Sequence, residues 1–269
     1  MTGERKVAWI TGASRGMGAD TAIQLAQAGY DVAITARDQD RLDRVAETIR
    51  SFGIEALPMS SDLTSRASVA AFADHALEHF GRCDVLANIG IYQGPSLKMR
   101  FVDTPLDELA VHHEADVIAP ALLCQRVLPW MREHGGTIVN MSSSSVFLDP
   151  PGPVGENGWS FAYVSAKAGV DRLASILNVE LGDEGVRAFN VEPGFVAYAA
   201  ELEELVRKYP GMPVSPPECI GPAIAWLVES SEADKLRSKR IYLPGLTHKR
   251  GLLPGWDGPG SHYESTAPA

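Results

Sequence analysis

Lys6-Val7-Ala8-Trp9-Ile10-Thr11 runs straight into Gly12-Ala13-Ser14-Arg15-Gly16-Met17-Gly18, and this junction decides the fold. The first six residues are mostly apolar and suit a strand buried on both faces. Ala19, Ala22, Ile23 and Ala26 then recur at helical spacing, and Gly29 stops the run. Strand, glycine-rich turn and helix in that order open a βαβ unit. Glycines here let the chain turn sharply and let backbone N–H groups approach an anion, with the helix N-terminus facing its charge. Their spacing is G-x-x-x-G-x-G, not the commoner G-x-G-x-x-G. Gly12, Ser14, Arg15, Gly16, Met17 and Gly18 are candidate ligands of a pyrophosphate. A tight turn with no ligand is the competing reading, and the position after the first strand weighs against it.

Outward from this junction the alternation continues. Strand-like segments fall at 31–36, within 55–63, and at 84–88, 136–143, 186–191 and 239–243. Helical patterns lie between them: one with Leu42, Val45, Ala46 and Ile49, and one with Val69, Phe72, Ala73 and Ala76, capped by Thr64 or Ser65. A long one starts near Thr104-Pro105, another spans Phe161 to about Leu181, and one opens at Ser215-Pro216-Pro217. The pattern predicts an α/β fold, a doubly wound parallel sheet of about seven strands with helices on both faces. It is one domain over residues 1–254. Residues 149–160 carry three prolines and three glycines, and the stretch 255–269 is expected to be mobile or to contact a partner.

Composition bounds the function. The chain has 269 residues, 45% apolar and 22% charged, with a formal net charge of -10. The acidic balance argues against a general nucleic-acid or anionic-membrane binder. No apolar run reaches the roughly 20 residues of a membrane span, and with a polar start no signal peptide is expected. Cys83, Cys124 and Cys219 are scattered and lack metal-ligand spacing, so reduced thiols in a cytoplasmic protein and no metal are expected.

The second strand ends in Ala36-Arg37. A carboxylate at its end would hold a ribose 2′-OH and repel a 2′-phosphate. Arg37 and Arg15 instead suit a 2′-phosphate, so NADP(H) is expected over NAD(H). The bland alternative makes both arginines solvated surface groups. Asp62, followed by Leu63, suits the adenine amino group, a helix N-cap, or both. Asn88-Ile89-Gly90 closes the fourth strand beside the ribose. Tyr163 and Lys167 stand four residues apart on one helix face. An ammonium beside a phenol favours the phenolate, which can exchange a proton with a carbonyl or alcohol oxygen. Alone, that spacing arises by chance in many helices.

Together, TGASRGMG at 11–18, Asp62-Leu63, the Asn88 turn, IVNMSS at 138–143, YVSAK at 163–167 and Pro193-Gly194 resemble the short-chain dehydrogenase/reductase family in its own order. The resemblance covers about residues 5 to 245 and implies a Rossmann-like fold. It implies Tyr163 as acid/base, with Lys167 promoting its ionisation and holding the nicotinamide ribose. Ser143 would hydrogen-bond the reacting oxygen, with an error of one in a four-serine run. Pro193, Gly194 and Val196 would line the nicotinamide. It also implies a homotetramer or homodimer built on the two long helices.

Several positions depart from the family. Asp116 stands where an asparagine usually supports a proton-relay water, so it joins the catalytic candidates; if ionised, it would disfavour the phenolate. His112 and His113, close by, read as exposed helix histidines. Ser143 and Tyr163 lie further apart than is usual, and the extra residues fall in 149–160. Tyr198 replaces a common threonine. Trp159, Phe195 and Tyr198, with Ser143 and Tyr163, are expected to form an apolar substrate pocket. The reading is an NADP(H)-dependent interconversion of a carbonyl and an alcohol on an apolar or ring-bearing small molecule. The rivals are a cofactor-binding protein with altered or lost catalysis, and a lyase or epimerase with a transient hydride step.

Overall fold

The alternating strands and helices assemble as one sheet of seven parallel strands with helices on both faces. A computed structural model describes residues 5–197, 205, 207 and 213–261. In chain order the elements are β1 (Val7–Thr11), α1 (Gly16–Gln27), β2 (Asp31–Ala36), α2 (Gln39–Arg50), β3 (Ala56–Ser60), α3 (Arg66–Phe80) and β4 (Val85–Asn88). Then come α4 (Leu106–His113), a π-helical turn (Glu114–Ile118), α5 (Ala119–His134), β5 (Gly136–Met141), α6 (Phe161–Leu181) and β6 (Val186–Glu192). Last are β7 (Phe195–Val196), β8 (Val214–Ser215), α7 (Ile220–Glu229), β9 (Ile241–Tyr242) and α8 (Leu243–Arg250). The sheet order is β3-β2-β1-β4-β5-β6-β9, while β7 and β8 pair separately.

Every residue of β1 is buried, as a central strand covered on both faces must be. Ala22, Leu25, Leu42, Ile49, Ile224 and Leu227 bring α1, α2 and α7 onto one face. Phe72, Leu123, Val127, Ala174 and Leu177 bring α3, α5 and α6 onto the other. Successive strands are added toward one edge up to β3 and toward the other from β4, so the strand order switches between β1 and β4, and the crevice beyond their carboxyl ends is where such sheets bind ligands.

Three elements differ from the sequence expectation. The long helix from Thr104-Pro105 is interrupted by the π-helical turn. Pro120 has no N–H for the carbonyl of Asp116, so the ladder shifts and Ala119 N–H reaches Glu114 instead. The strand expected at 239–243 is only Ile241–Tyr242, because Leu243 and Pro244 open α8, which the periodicity did not reveal. The stretch from Gly255, expected as a tail, packs back on its own domain: Trp256 is buried and Gly260 N–H donates to Val214 O at 2.8 Å. Residues 262–269 lie outside the described residues. No described helix is long and apolar enough to cross a membrane.

Candidate active site

Main chain packs on main chain around the glycine turn. Gly12 has φ +70°, and a Cβ there would sit 2.7 Å from Gly90 Cα. A Cβ on Gly18 would lie 2.3 Å from Gly12 O. Thr11 Oγ1 accepts from Ile89 N–H and Gly90 N–H, both at 3.0 Å, and so fixes the end of β4 against the turn. No side chain caps the start of α1, which leaves its first N–H groups aimed at the crevice.

The crevice is a cavity of about 820 Å³. Gly12, Ser14, Arg15, Gly16, Met17 and Gly18 line its floor. Arg37, Asp62, Leu63 and Gly90 also line it, and Val196 marks the end nearer β7. Sequence reasoning missed, among other residues of this wall, Arg41, Tyr92 and Gln93. Arg41 lies four residues beyond Arg37, in the first turn of α2, and pairs with Asp38 at 3.1 Å. Tyr92 and Gln93 come from the loop after β4, and Gln93 Oε1 accepts from Arg15 across the opening at 3.4 Å. The spacing Arg37-x-x-x-Arg41 was the available signal; Tyr92 and Gln93 carried none.

Asp62 is held rigidly. Its Oδ1 accepts from Thr64 N–H at 3.0 Å and Thr64 Oγ1 at 2.9 Å. It is not the cap of α3, since Ser65 caps that helix by accepting from Ser68 N–H. Asn88 is buried, and its amide donates to Asn140 Oδ1 at 2.9 Å, while its neighbours Ile89 and Gly90 line the cleft.

Outside the residues that line this cavity, Ser160 caps α6 by accepting from Tyr163 N–H at 3.2 Å. The capped turn presents Tyr163, half-buried, and Lys167, only 4% exposed. Lys167 Nζ donates to Met141 O at the end of β5, at 2.8 Å. In the serine run, Ser142 donates to Asp171 at 2.7 Å and is buried. Ser143 is half-buried and accepts from Ser145 Oγ at 2.9 Å. Gly194 has φ +65° and packs against the Tyr242 ring, while Pro193 and Trp159 are half-buried. Phe195 pairs in register with Val214. Tyr198 lies outside the described residues.

Asp116 is 2% exposed; its Oδ1 accepts from Tyr92 N–H at 2.7 Å. His112, expected on the surface, is fully buried, because α4 lays that face against Tyr92 and Ser96. His113 is half-buried and meets Ser165 Oγ at 2.8 Å; burial lowers its pKa, with His112 adding to the effect.

The short chain dehydrogenase family model matches residues 6–209. A 3-oxoacyl-(acyl-carrier-protein) reductase of Staphylococcus epidermidis is 31% identical over 193 residues, 71% of this chain and 75% of that one. A short chain dehydrogenase of Pseudocercospora fijiensis is 35% identical over 71% of this chain and 60% of its own. Among solved structures, a Thermococcus sibiricus alcohol dehydrogenase complexed with 5-hydroxy-NADP aligns with TM-score 0.72 and 28% identity, covering 89% of this chain and 96% of that one. A 7α-hydroxysteroid dehydrogenase complexed with NADH and 7-oxo glycochenodeoxycholic acid aligns with TM-score 0.75 and 26% identity, over 89% and 93% of the two chains. Parallel sheet, glycine turn and matched sequence together define a nucleotide-binding oxidoreductase of the doubly wound class. The chain belongs to the short-chain dehydrogenase/reductase family.

Proposed function

We propose that this chain is an NADP(H)-dependent enzyme that interconverts a carbonyl and an alcohol on an apolar or ring-bearing small molecule. The observation that carries the reading is the capped turn of α6, where Tyr163 stands one turn before a buried Lys167 anchored at the carboxyl end of β5. Residues present in the cleft fit a dinucleotide. Side chains at positions 12 and 18 would fill the cradle, and α1 starts uncapped. The turn from Gly12 to Gly18 would hold the pyrophosphate. Arg15 and Arg37, with Arg41 beside them, would hold a 2′-phosphate, and Asp62 the adenine amino group. Lys167 and Tyr163 would hold the nicotinamide ribose, with Pro193, Gly194 and Val196 against the ring.

When bound, the nicotinamide supplies or accepts the hydride. The protein does the rest. The Tyr163 hydroxyl gives a proton to the substrate oxygen in reduction and takes it back in oxidation. The Ser143 hydroxyl donates to the same oxygen and fixes its position. Lys167 keeps a positive charge beside the phenol. Trp159 and Phe195 belong to the apolar substrate wall, as does Tyr198 by sequence. Structural similarity to an enzyme holding a steroid acid supports an apolar body in that space. Exposed Ile176 and Val179 on α6 support assembly as a homodimer or homotetramer, and the free, buried Cys83, Cys124 and Cys219 support a cytoplasmic enzyme.

The test is the affinity for NADPH and NADH by fluorescence titration, followed by nucleotide oxidation against a panel of aryl, alicyclic and long-chain ketones. Tight NADPH binding with ketone-dependent oxidation is the expected result. Conversion of substrate at constant NADP(H), or binding without oxidation across the panel, overturns the reading.

A further inference from the structure

Three ionisable side chains, Glu108, His112 and Asp116, stand on successive turns of α4 and the π-helical turn that follows it. All three meet one short segment of the loop after β4. Asp116 Oδ1 accepts from Tyr92 N–H at 2.7 Å. His112 stacks edge-on against the Tyr92 ring, with centroids 5.4 Å apart. His112 Nδ1 lies 3.1 Å from Ser96 Oγ, and Tyr92 Oη donates to Glu108 at 3.4 Å. The remaining atoms of the central pair face each other: His112 Nε2 is 3.6 Å from Asp116 Oδ2. Both side chains are fully buried, and neither atom has a hydrogen-bond partner among the described residues.

We infer that His112 is a positioning residue for the cofactor, acting through Asp116 and Tyr92 on the wall of the nucleotide cleft. The inference rests on the reading that this cleft takes a nicotinamide dinucleotide. The cleft is lined by Ile91, Tyr92 and Gln93 on one side and by Ala115, next to Asp116, at its inner end. The wall is therefore held from behind by side chains that do not themselves line the cleft. A buried carboxylate oxygen without a partner is costly, and so is a buried imidazole nitrogen. Each is the other's compensation. With Nε2 carrying its proton toward Asp116, Nδ1 accepts from the Ser96 hydroxyl. Asp116 is thereby free to spend its other oxygen on Tyr92 N–H. Remove the imidazole and the carboxylate must find a new partner, and the Tyr92 amide is the bond it gives up.

The experiment is a two-residue cycle on the full chain, with NADPH, NADH and 2′,5′-ADP as probes. His112→Leu removes the partner, and Asp116→Asn keeps an acceptor for Tyr92 N–H. His112→Leu is expected to weaken binding of NADPH and 2′,5′-ADP at least about tenfold, measured well below its melting temperature. On the Asp116→Asn background, His112→Leu is expected to cost less than about threefold further, against at least about tenfold on the parent background. Amide exchange at Tyr92, read without nucleotide, is expected to be slow in the parent, fast in His112→Leu and slow again in the double variant. A His112→Leu protein that melts earlier yet binds as the parent does would make His112 a core residue only and overturn the inference. An equal further loss on both backgrounds would overturn it too. Should His112→Leu fail to fold, Ser96→Ala releases the far end of the relay, and unchanged affinity and unchanged Tyr92 exchange there overturn it. A parent that binds neither nucleotide sinks the reading of the cleft, while the exchange pattern still decides whether His112 holds Tyr92.

Discussion

Lys167 Nζ donates to the main-chain oxygen of Met141 at 2.8 Å, which ties the middle of α6 to the carboxyl end of β5. The Lys167 side chain is buried, so this bond holds its amine in one place at the end of β5. Lys167→Met keeps most of the shape and removes the charge. Ketone-dependent NADPH oxidation is expected to fall at least about 100-fold. Loss of the anchor is expected to lower the melting temperature by a few degrees at most. Oxidation at the parent rate would remove Lys167 from the reaction.

Tyr163 is half-buried on a turn capped by Ser160, so the ring stays in place if only its hydroxyl goes. In Tyr163→Phe, NADPH affinity is expected to hold within about fivefold while turnover drops by about two to four orders of magnitude. Parallel titration and steady-state kinetics read both quantities from one preparation. Full turnover without the phenol would defeat the acid/base assignment.

Arg37 and Arg41 flank Asp38 at the mouth of the cleft, and Arg41 pairs with that acid at 3.1 Å. A guanidinium on a phosphate gains charge-assisted bonds that a ribose hydroxyl does not offer. Arg37→Ala is expected to weaken NADPH binding roughly 10- to 100-fold and leave NADH binding nearly unchanged. Equal losses for both nucleotides would argue against recognition of a 2′-phosphate here.

Gly12 sits at φ +70°, and an added methyl would lie 2.7 Å from Gly90 Cα. Backbone cannot yield as a side-chain tip can. Gly12→Ala is expected to cost about 1–3 kcal/mol in stability and to abolish measurable nucleotide binding. Chemical denaturation and NADPH titration check the two halves separately.

Asp20, on α1, accepts from Gly221 N–H at the start of α7 at 2.7 Å. Burial pushes its carboxyl from 3.8 up to about 7, the Gly221 bond opposes the shift, and Glu218 adds to it. A folded-state value above the unfolded one gives stability that is fully present below pH 3.8 and lost as pH rises to about 7. Asp20→Asn keeps the acceptor without the charge. Its melting temperature is expected to match the parent near pH 4, to exceed it increasingly up to pH 7, and to stay a few degrees higher beyond. A pH-independent difference would mean the carboxyl is not the cause.

The short-range features of this protein are legible in its residue order. Alternating apolar runs set strands and helices, because burial on two faces or one stripe leaves a periodic trace. The Gly12 to Gly18 turn needs small residues at fixed spacing, and Tyr163 and Lys167 share a helix face by arithmetic alone. What the chain order left open depends on which element covers which face. His112 looked like a surface histidine because nothing local says that Tyr92 and Ser96 fold over it. Arg41 drew no role from the sequence, and the packing of α2 brings it to the cleft. Asp116 found Tyr92 only through the packing of the loop after β4. Periodicity records that a side chain is buried, not what meets it there. Contacts between residues far apart in sequence form only when the sheet and its helices close, and in this protein those contacts shape the cleft wall.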